Sequence, residues 1–227
     1  MLILHIETST NVCSVALSEN GNLLFSKSNA DGMNHAALLS IFIAEVFETF
    51  NLSEKKLDAI AVSSGPGSYT GLRIGVSTAK GLCFGLDIPL IAVSTLEIMV
   101  VQALKSVNMV ENALFCPMID ARRMEVYSAF YNANCLIKRE ISADIITSES
   151  YAEILNKQLV YFFGNGAAKC KTTLIHPNAL FIDDIYPLAE NMIQLAERAY
   201  SERRFENIAY FEPFYLKEFQ TTTTPNK

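Results

Sequence analysis

Residues 63–75 read Ser-Ser-Gly-Pro-Gly-Ser-Tyr-Thr-Gly-Leu-Arg-Ile-Gly, and they limit the folds open to this chain more than any other stretch. The apolar run 57–62 before them reads as a buried strand, and residues 70–86 after them read as a helix. Gly65, Pro66 and Gly67 let the backbone turn tightly and leave amide N–H groups free at a helix start. Such a loop serves either of two ends: it cradles an anion, or it makes a close turn beneath a packed interface. The hydroxyls of Ser64 and Ser68 suit helix capping. No histidine lies near them in sequence to act as a base, so nucleophilic catalysis lacks a part here.

The helix itself is slim. Gly75 and Gly81 lie in its interior, where each costs about 1 kcal/mol relative to alanine. Gly71, Gly75, Ala79 and Cys83 recur every four residues as one stripe of small side chains, and Ser77, Gly81 and Gly85 form a second. A small-residue stripe admits another backbone at close range, with dispersion as the gain. One stripe suits packing on the chain's own sheet; a second on another face predicts a partner helix. The expected interface comprises Gly71, Leu72, Gly75, Val76, Thr78, Ala79 and Leu82. An identical chain could use it as a two-fold homodimer, presenting the same patch from both sides.

Hydrophobic periodicity gives strands near 2–7, 12–18 and 23–28, a helix near 35–50, a strand near 57–62, the slim helix, a strand near 90–93 and a helix near 95–106. Glu19-Asn20-Gly21-Asn22 is a hairpin signal, and Pro89 separates the slim helix from the strand that follows. The second half repeats the order: strands near 114–119, 124–131 and 135–141, a helix near 149–157, a strand near 159–163, a helix near 166–174, a strand near 179–182 and a helix near 187–203 with Pro187 in its first turn. The plan βββαβαβα thus occurs twice, without visible sequence identity between the halves. It predicts an α/β chain of two related domains, residues 1–108 and 109–220, meeting at a cleft, with a disordered tail at 221–227.

With 227 residues, half of them apolar, the chain can bury an ordinary core. A net charge of −6 argues against a primary nucleic-acid binder, because phosphate contacts need a basic surface. Arg122-Arg123, Lys138-Arg139 and Arg203-Arg204 are the only basic pairs worth testing as a local patch. The five cysteines have no metal or redox spacing and read as buried thiols in a reducing, cytoplasmic compartment. No apolar run reaches membrane-spanning length, so no membrane association is expected. His5, His35 and His176 do not form a two-histidine helical pair, so no metal site is expected.

Residues 3–11, Ser64 to Gly75, Asp120-Ala-Arg-Arg-Met-Glu-Val-Tyr127, Gly164-Asn-Gly-Ala167 and Pro213-Phe-Tyr-Leu-Lys217 together resemble the landmarks of the TsaB (YeaZ) family of bacterial tRNA threonylcarbamoyladenosine biosynthesis proteins. The resemblance extends to about Glu218. It implies an actin/sugar-kinase/Hsp70-like (ASKHA) fold of duplicated βββαβαβα domains with a degenerate nucleotide cleft. It also implies a non-catalytic dimerisation or scaffold subunit that supports a metal-bearing TsaD-like paralogue, with a TsaE-like ATPase completing the assembly and tRNA met only indirectly. In nucleotide-binding members of the superfamily an Asp on the first hairpin turn holds a hydrated magnesium ion, and a Gly there lets the backbone approach the phosphates. This chain has Glu7-Thr8-Ser9-Thr10-Asn11 and Asp120-Ala-Arg-Arg at the two equivalent turns, without that Gly. No catalytic residue and no cofactor of its own are therefore expected. Glu7, Thr8, Asp120, Gly164 and Gly166 remain as contacts for a weak or interfacial adenine nucleotide. The alternative is an ATP-binding small-molecule kinase or nucleotide hydrolase of the same fold, using those residues as its site.

Overall fold

The computed structural model describes residues 1–30, 34–52, 54–108 and 111–216. Two five-stranded sheets organise them. In the first, β1 (Leu2–Glu7), β2 (Cys13–Glu19), β3 (Asn22–Asn29), β4 (Ala59–Gly65) and β5 (Leu90–Ser94) take the order β3-β2-β1-β4-β5. In the second, β6 (Leu114–Asp120), β7 (Glu125–Tyr131), β8 (Ile137–Ile145), β9 (Val160–Phe163) and β10 (Ala179–Ile182) take the order β10-β9-β6-β7-β8. Read from the other edge the second order is the first again, with antiparallel meanders β1-β2-β3 and β6-β7-β8 and parallel neighbours β1-β4-β5 and β6-β9-β10. The repeated plan read from the sequence is thus a repeated topology. Asn20 and Gly21, both at positive φ, form the expected two-residue hairpin turn.

Helices α1 (His35–Thr49) and α2 (Tyr69–Leu86) cover one face of the first sheet. Leu39, Phe42, Ile43 and Val46 of α1 meet Leu4, Ile6, Val15 and Leu17 there, as the three-and-four spacing requires. The other face, with Ile3, Ala59, Ala61 and Ile91, packs against Ile98 of α3 (Thr95–Ser106) and against Met192, Leu195, Ala196 and Ala199 near the C-terminus. Helix α3 serves both sheets, since its Leu96, Met99, Val100 and Ala103 join Phe115, Tyr131 and Phe163 of the second.

The second half departs from the sequence reading in its helices, and each departure has a local cause. The helix expected at 149–157 shrinks to one turn, α4 (Ala152–Leu155). Tyr151 caps it in the left-handed region (φ 62), because its side chain is committed elsewhere: the hydroxyl donates to Asp144 Oδ2 at 2.7 Å and the ring meets Phe130 at 5.0 Å. The helix expected at 166–174 is only a 3₁₀ turn, Ala168–Cys170. Lys169 is drawn to Asp120 and to the Glu125 carbonyl, and Thr172-Thr173 offer weak propensity for propagating a costly nucleus. The last helix begins later than expected. Leu188 is extended so that Ala189 N donates to Ser14 Oγ at 2.9 Å, the 3₁₀ turn Ala189–Met192 follows, and α5 (Ile193–Ser201) completes it. Pro187 therefore lies outside the helix. Strand β8 ends four residues later than expected, at Ile145, and β4 runs on into the glycine-rich motif as far as Gly65. The tail at 221–227 lies outside the described residues.

Beyond α5 the chain returns along α2. Glu206 N donates to Leu90 O, Lys80 Nζ donates to the carbonyl of Phe211 at 2.9 Å, and Phe214 N donates to Ser64 O at 2.7 Å. Tyr215 stacks on Tyr69 at 4.7 Å with the Arg73 guanidinium 4.2 Å from the Tyr69 ring. The aromatic segment near the C-terminus thus docks on the body.

Candidate functional site

Two regions compete for the functional role: the strand ends where the 63–75 loop begins, and the outer surface of α1 and α2. At the first, Ser68 is the N-cap of α2 and its hydroxyl accepts from Gly71 N at 3.2 Å. Ser64 does not cap; its hydroxyl donates to Val93 O. Within the loop, Ser68 N is used inside the chain, donating to Ser9 O at 2.6 Å. A Cβ at Gly67 would stand 2.2 Å from Ser9 O, one at Gly71 2.1 Å from Thr8 O, and one at Gly75 2.2 Å from Thr8 Oγ1. These glycines are small so that the turn after β1 can lie against α2. Thr8 Oγ1 seals the contact by donating to Gly71 O at 2.8 Å.

This placement corrects the interface expected from the sequence. Gly71, Leu72, Gly75, Val76 and Ala79 are all buried within the chain's own core and are closed to any partner. Thr78 and Leu82 do reach the surface. With Ser40, Ile43, Ala44 and Phe47 of α1 they line an apolar groove of about 290 Å³ between the two helices. The second stripe also faces outward: a Cβ at Gly81 or Gly85 would meet nothing within 4 Å. Phe84 on the same helix and Tyr210 of the returning segment are each 83 % exposed, and Ile41 of α1 is exposed as well. The α1 half of the groove was not anticipated. Its signal was available in Ala37, Ser40, Ile41 and Ala44, an uncharged face opposite the buried stripe.

The end of β1 is closed, whereas Ser64, Gly65 and Ser94 at the ends of β4 and β5 line a cavity of about 270 Å³ with Glu140, Ile141 and Phe214. Glu7 is fully buried, its Oε1 accepts from Ser9 N, and burial pushes its carboxyl up to about 7 against the opposing pull of that amide and of the nearby Ser9 and Ser63 hydroxyls. His5, on the same strand, bonds Ser18 Oγ at 2.8 Å through Nε2 and is lowered to about 3 by burial. A hydrated magnesium ion with its nucleotide does not fit at Glu7: the carboxylate has no solvent access, and the space a phosphate would take beside Gly67, Gly71 and Gly75 is filled by Thr8 and Ser9. Thr8 is likewise buried.

At the equivalent turn of the second sheet, Asp120 accepts from Arg122 N at 3.1 Å and forms an ion pair with Lys169, while Asp120 N donates to Asn165 Oδ1. Gly164 (φ +100) would place a Cβ 2.5 Å from Met118 O, and Gly166 one 2.9 Å from the Ile119 carbonyl carbon. Both glycines serve close packing of the β9 turn on β6. Among the described residues no group of three or more His, Cys, Asp or Glu could hold a metal ion. His5, His35 and His176 each bond a different group: Ser18 Oγ, Thr10 O at 2.7 Å and Asn156 Oδ1.

The duplicated sheet order is that of an ASKHA-like fold. Comparison with known proteins identifies the family. Residues 30–220 match the TsaD family profile, tRNA N6-adenosine threonylcarbamoyltransferase. The protein named tRNA threonylcarbamoyladenosine biosynthesis protein TsaB from Escherichia coli is 31% identical over 227 residues, covering 96% of this chain and 95% of that one. Its namesake from Haemophilus influenzae is 29% identical, covering 96% and 94%. A crystal structure of YeaZ from Pseudomonas aeruginosa superposes with a TM-score of 0.76 at 26% identity, over 95% of this chain and 99% of that one. The tRNA N6-adenosine threonylcarbamoyltransferase of Staphylococcus haemolyticus is 36% identical over 108 residues, 40% of this chain and 32% of its own. The chain belongs to the TsaB (YeaZ) family.

Proposed function

We propose that this chain is a non-catalytic subunit in the biosynthesis of tRNA threonylcarbamoyladenosine and that it supports a TsaD-type transferase by binding it through the outer face of α1 and α2. The observation that carries this reading is the groove of Ser40, Ile43, Ala44, Phe47, Thr78 and Leu82 beside the open stripe of Gly81 and Gly85. Its lining bears no charge, and glycines on an exposed helix are costly unless another backbone comes close. A TsaD-type partner shares this chain's ancestry over residues 30–220, so it can present a related pair of helices. The same face would join two copies of this chain when the partner is absent, so homodimer and heterodimer would compete. A TsaE-like ATPase belongs to the same assembly in this reading, and tRNA is met through the partner. No helix among the described residues is long and apolar enough to cross a membrane, and the five cysteines are unpaired, which suits a cytoplasmic setting.

Leu82→Arg places a charge in the groove without touching the buried stripe. Capture of a TsaD-type transferase should weaken more than tenfold, as for a central interface residue, and self-association should fall with it. Circular dichroism should remain that of the wild type. Undiminished capture would exclude this face. The competing reading, an ATP-using kinase or hydrolase, is favoured by no residue at the strand ends. Titration calorimetry of the isolated chain with ATP and magnesium should show no turnover and no binding tighter than millimolar. Micromolar binding with product formation would restore the enzyme.

A further inference from the structure

Six buried side-chain polar atoms have no hydrogen-bond partner among the described residues: His5 Nδ1, Glu7 Oε2, Ser9 Oγ, Ser63 Oγ, Ser94 Oγ and Thr95 Oγ1. All six belong to one place, the C-terminal ends of β1, β4 and β5 and the residues just after them. Buried polar groups normally find partners, so a cluster of unmet ones calls for something the heavy atoms alone do not supply. The pairing Ile6↔Val62 puts Glu7 and Ser63 on the next rung of the parallel β1-β4 ladder, facing the same side. Two of the unmet atoms, Glu7 Oε2 and Ser63 Oγ, therefore stand as neighbours, the hydroxyl near enough to bias the carboxyl.

We infer that Glu7 is a carboxylic acid in the native protein, with its Oε2–H donating to Ser63 Oγ, so that a proton rather than a cation satisfies these strand ends. One hydrogen bond then meets two unmet atoms, while Oε1 keeps its bond from Ser9 N. An ionised Glu7 would have no counter-charge. Among the described residues no lysine or arginine acts on it, and its titratable neighbours are His5 on its own strand, a neutral imidazole, and Cys13 on β2, whose thiol is raised to about 11 by burial and by Glu7 itself. The neighbouring strands, α3 and the turn against α2 offer the hydroxyls of Ser14, Ser63, Ser94, Thr95 and Thr8. A hard cation would need further oxygen anions, and among the described residues no group of three or more His, Cys, Asp or Glu is gathered there. A buried acid that finds no partner charge takes up its proton instead. This goes beyond the proposed scaffold role and does not depend on it.

The test is the infrared C=O band of a protonated carboxyl, read in wild-type minus Glu7→Gln difference spectra of the whole chain. With the carboxyl at about 7, about nine-tenths of the band should be present one pH unit below and about one-tenth one unit above. In Ser63→Ala the band should persist and move to higher frequency, because the acid loses its acceptor. Magnesium, alone or with ADP, should leave it unchanged. If Glu7→Gln does not fold, ¹³C-glutamate labelling of wild type and Ser63→Ala gives the same reading. Absence of the band at pH 6, a band unmoved by Ser63→Ala, or a band that magnesium abolishes would each overturn the inference. Partner capture is scored separately, so a failure here leaves the scaffold reading standing.

Discussion

Gly71→Ala is expected to destabilise the chain by about 3 kcal/mol or more, lowering the melting temperature by about 10 °C. A single methyl carbon there would lie 2.1 Å from the Thr8 carbonyl oxygen, inside any real contact. Relief requires α2 to shift away from the turn after β1, which breaks the 2.8 Å bond from Thr8 Oγ1 to Gly71 O. Gly75→Ala meets Thr8 Oγ1 at 2.2 Å and should behave alike. Gly81→Ala, two turns along the same helix, should do the opposite and stabilise by about 0.5–1 kcal/mol, since its Cβ enters open space and glycine is costly in a helix interior. Urea unfolding of the three variants checks this. Effects of equal sign would mean that the helix does not lie as described. A consequence for experiment follows: Gly75→Arg, an obvious choice from sequence for breaking an interface, cannot separate binding from folding, whereas Leu82→Arg can.

Acidity should act on this chain through two buried groups of opposite sign. Glu7 titrates near 7 in the folded chain against an ordinary 4.5, so the folded form holds a proton that the unfolded form releases. That contribution is complete below pH 4.5 and is lost as pH rises to 7, a fall of about 3 kcal/mol. His5 titrates near 3 against an ordinary 6.5, so the unfolded form holds the extra proton. Its contribution is complete above pH 6.5 and is lost as pH falls to 3, about 5 kcal/mol. Between pH 4.5 and 6.5 the two slopes cancel. Glu7→Gln should uncover the rising arm and His5→Leu the falling one. Comparing unfolding free energies across pH for the three proteins removes the background common to all carboxylates. Profiles that run parallel would refute the assignment.

Much of the architecture is legible in the sequence because its signals are local. The Asn20-Gly21 turn, the stop at Pro89 and the three-and-four spacing of α1 each act over a few residues, and the structure keeps them. The second-half helices fail because distant residues decide them: Asp144 and Phe130 hold Tyr151, Asp120 holds Lys169, and Ser14 holds Ala189. The same limit governs the site. The spacing of Gly71, Gly75 and Ala79 shows that something must come close, but not which backbone does so. Here it is the chain's own Thr8, and the outward surface is set by α1, whose approach to α2 depends on the completed sheet.

The last helix bears on how the protein comes off the ribosome. Met192, Leu195, Ala196 and Ala199 are the lid over Ile3, Ala59, Ala61 and Ile91. A nascent chain that has already made every strand of its opening sheet must therefore wait for the final stretch of translation before that sheet has two covered faces. Until then an oily surface is on show to chaperones and to other unfinished copies, so premature termination before Met192 should leave an aggregating product rather than a shortened working one.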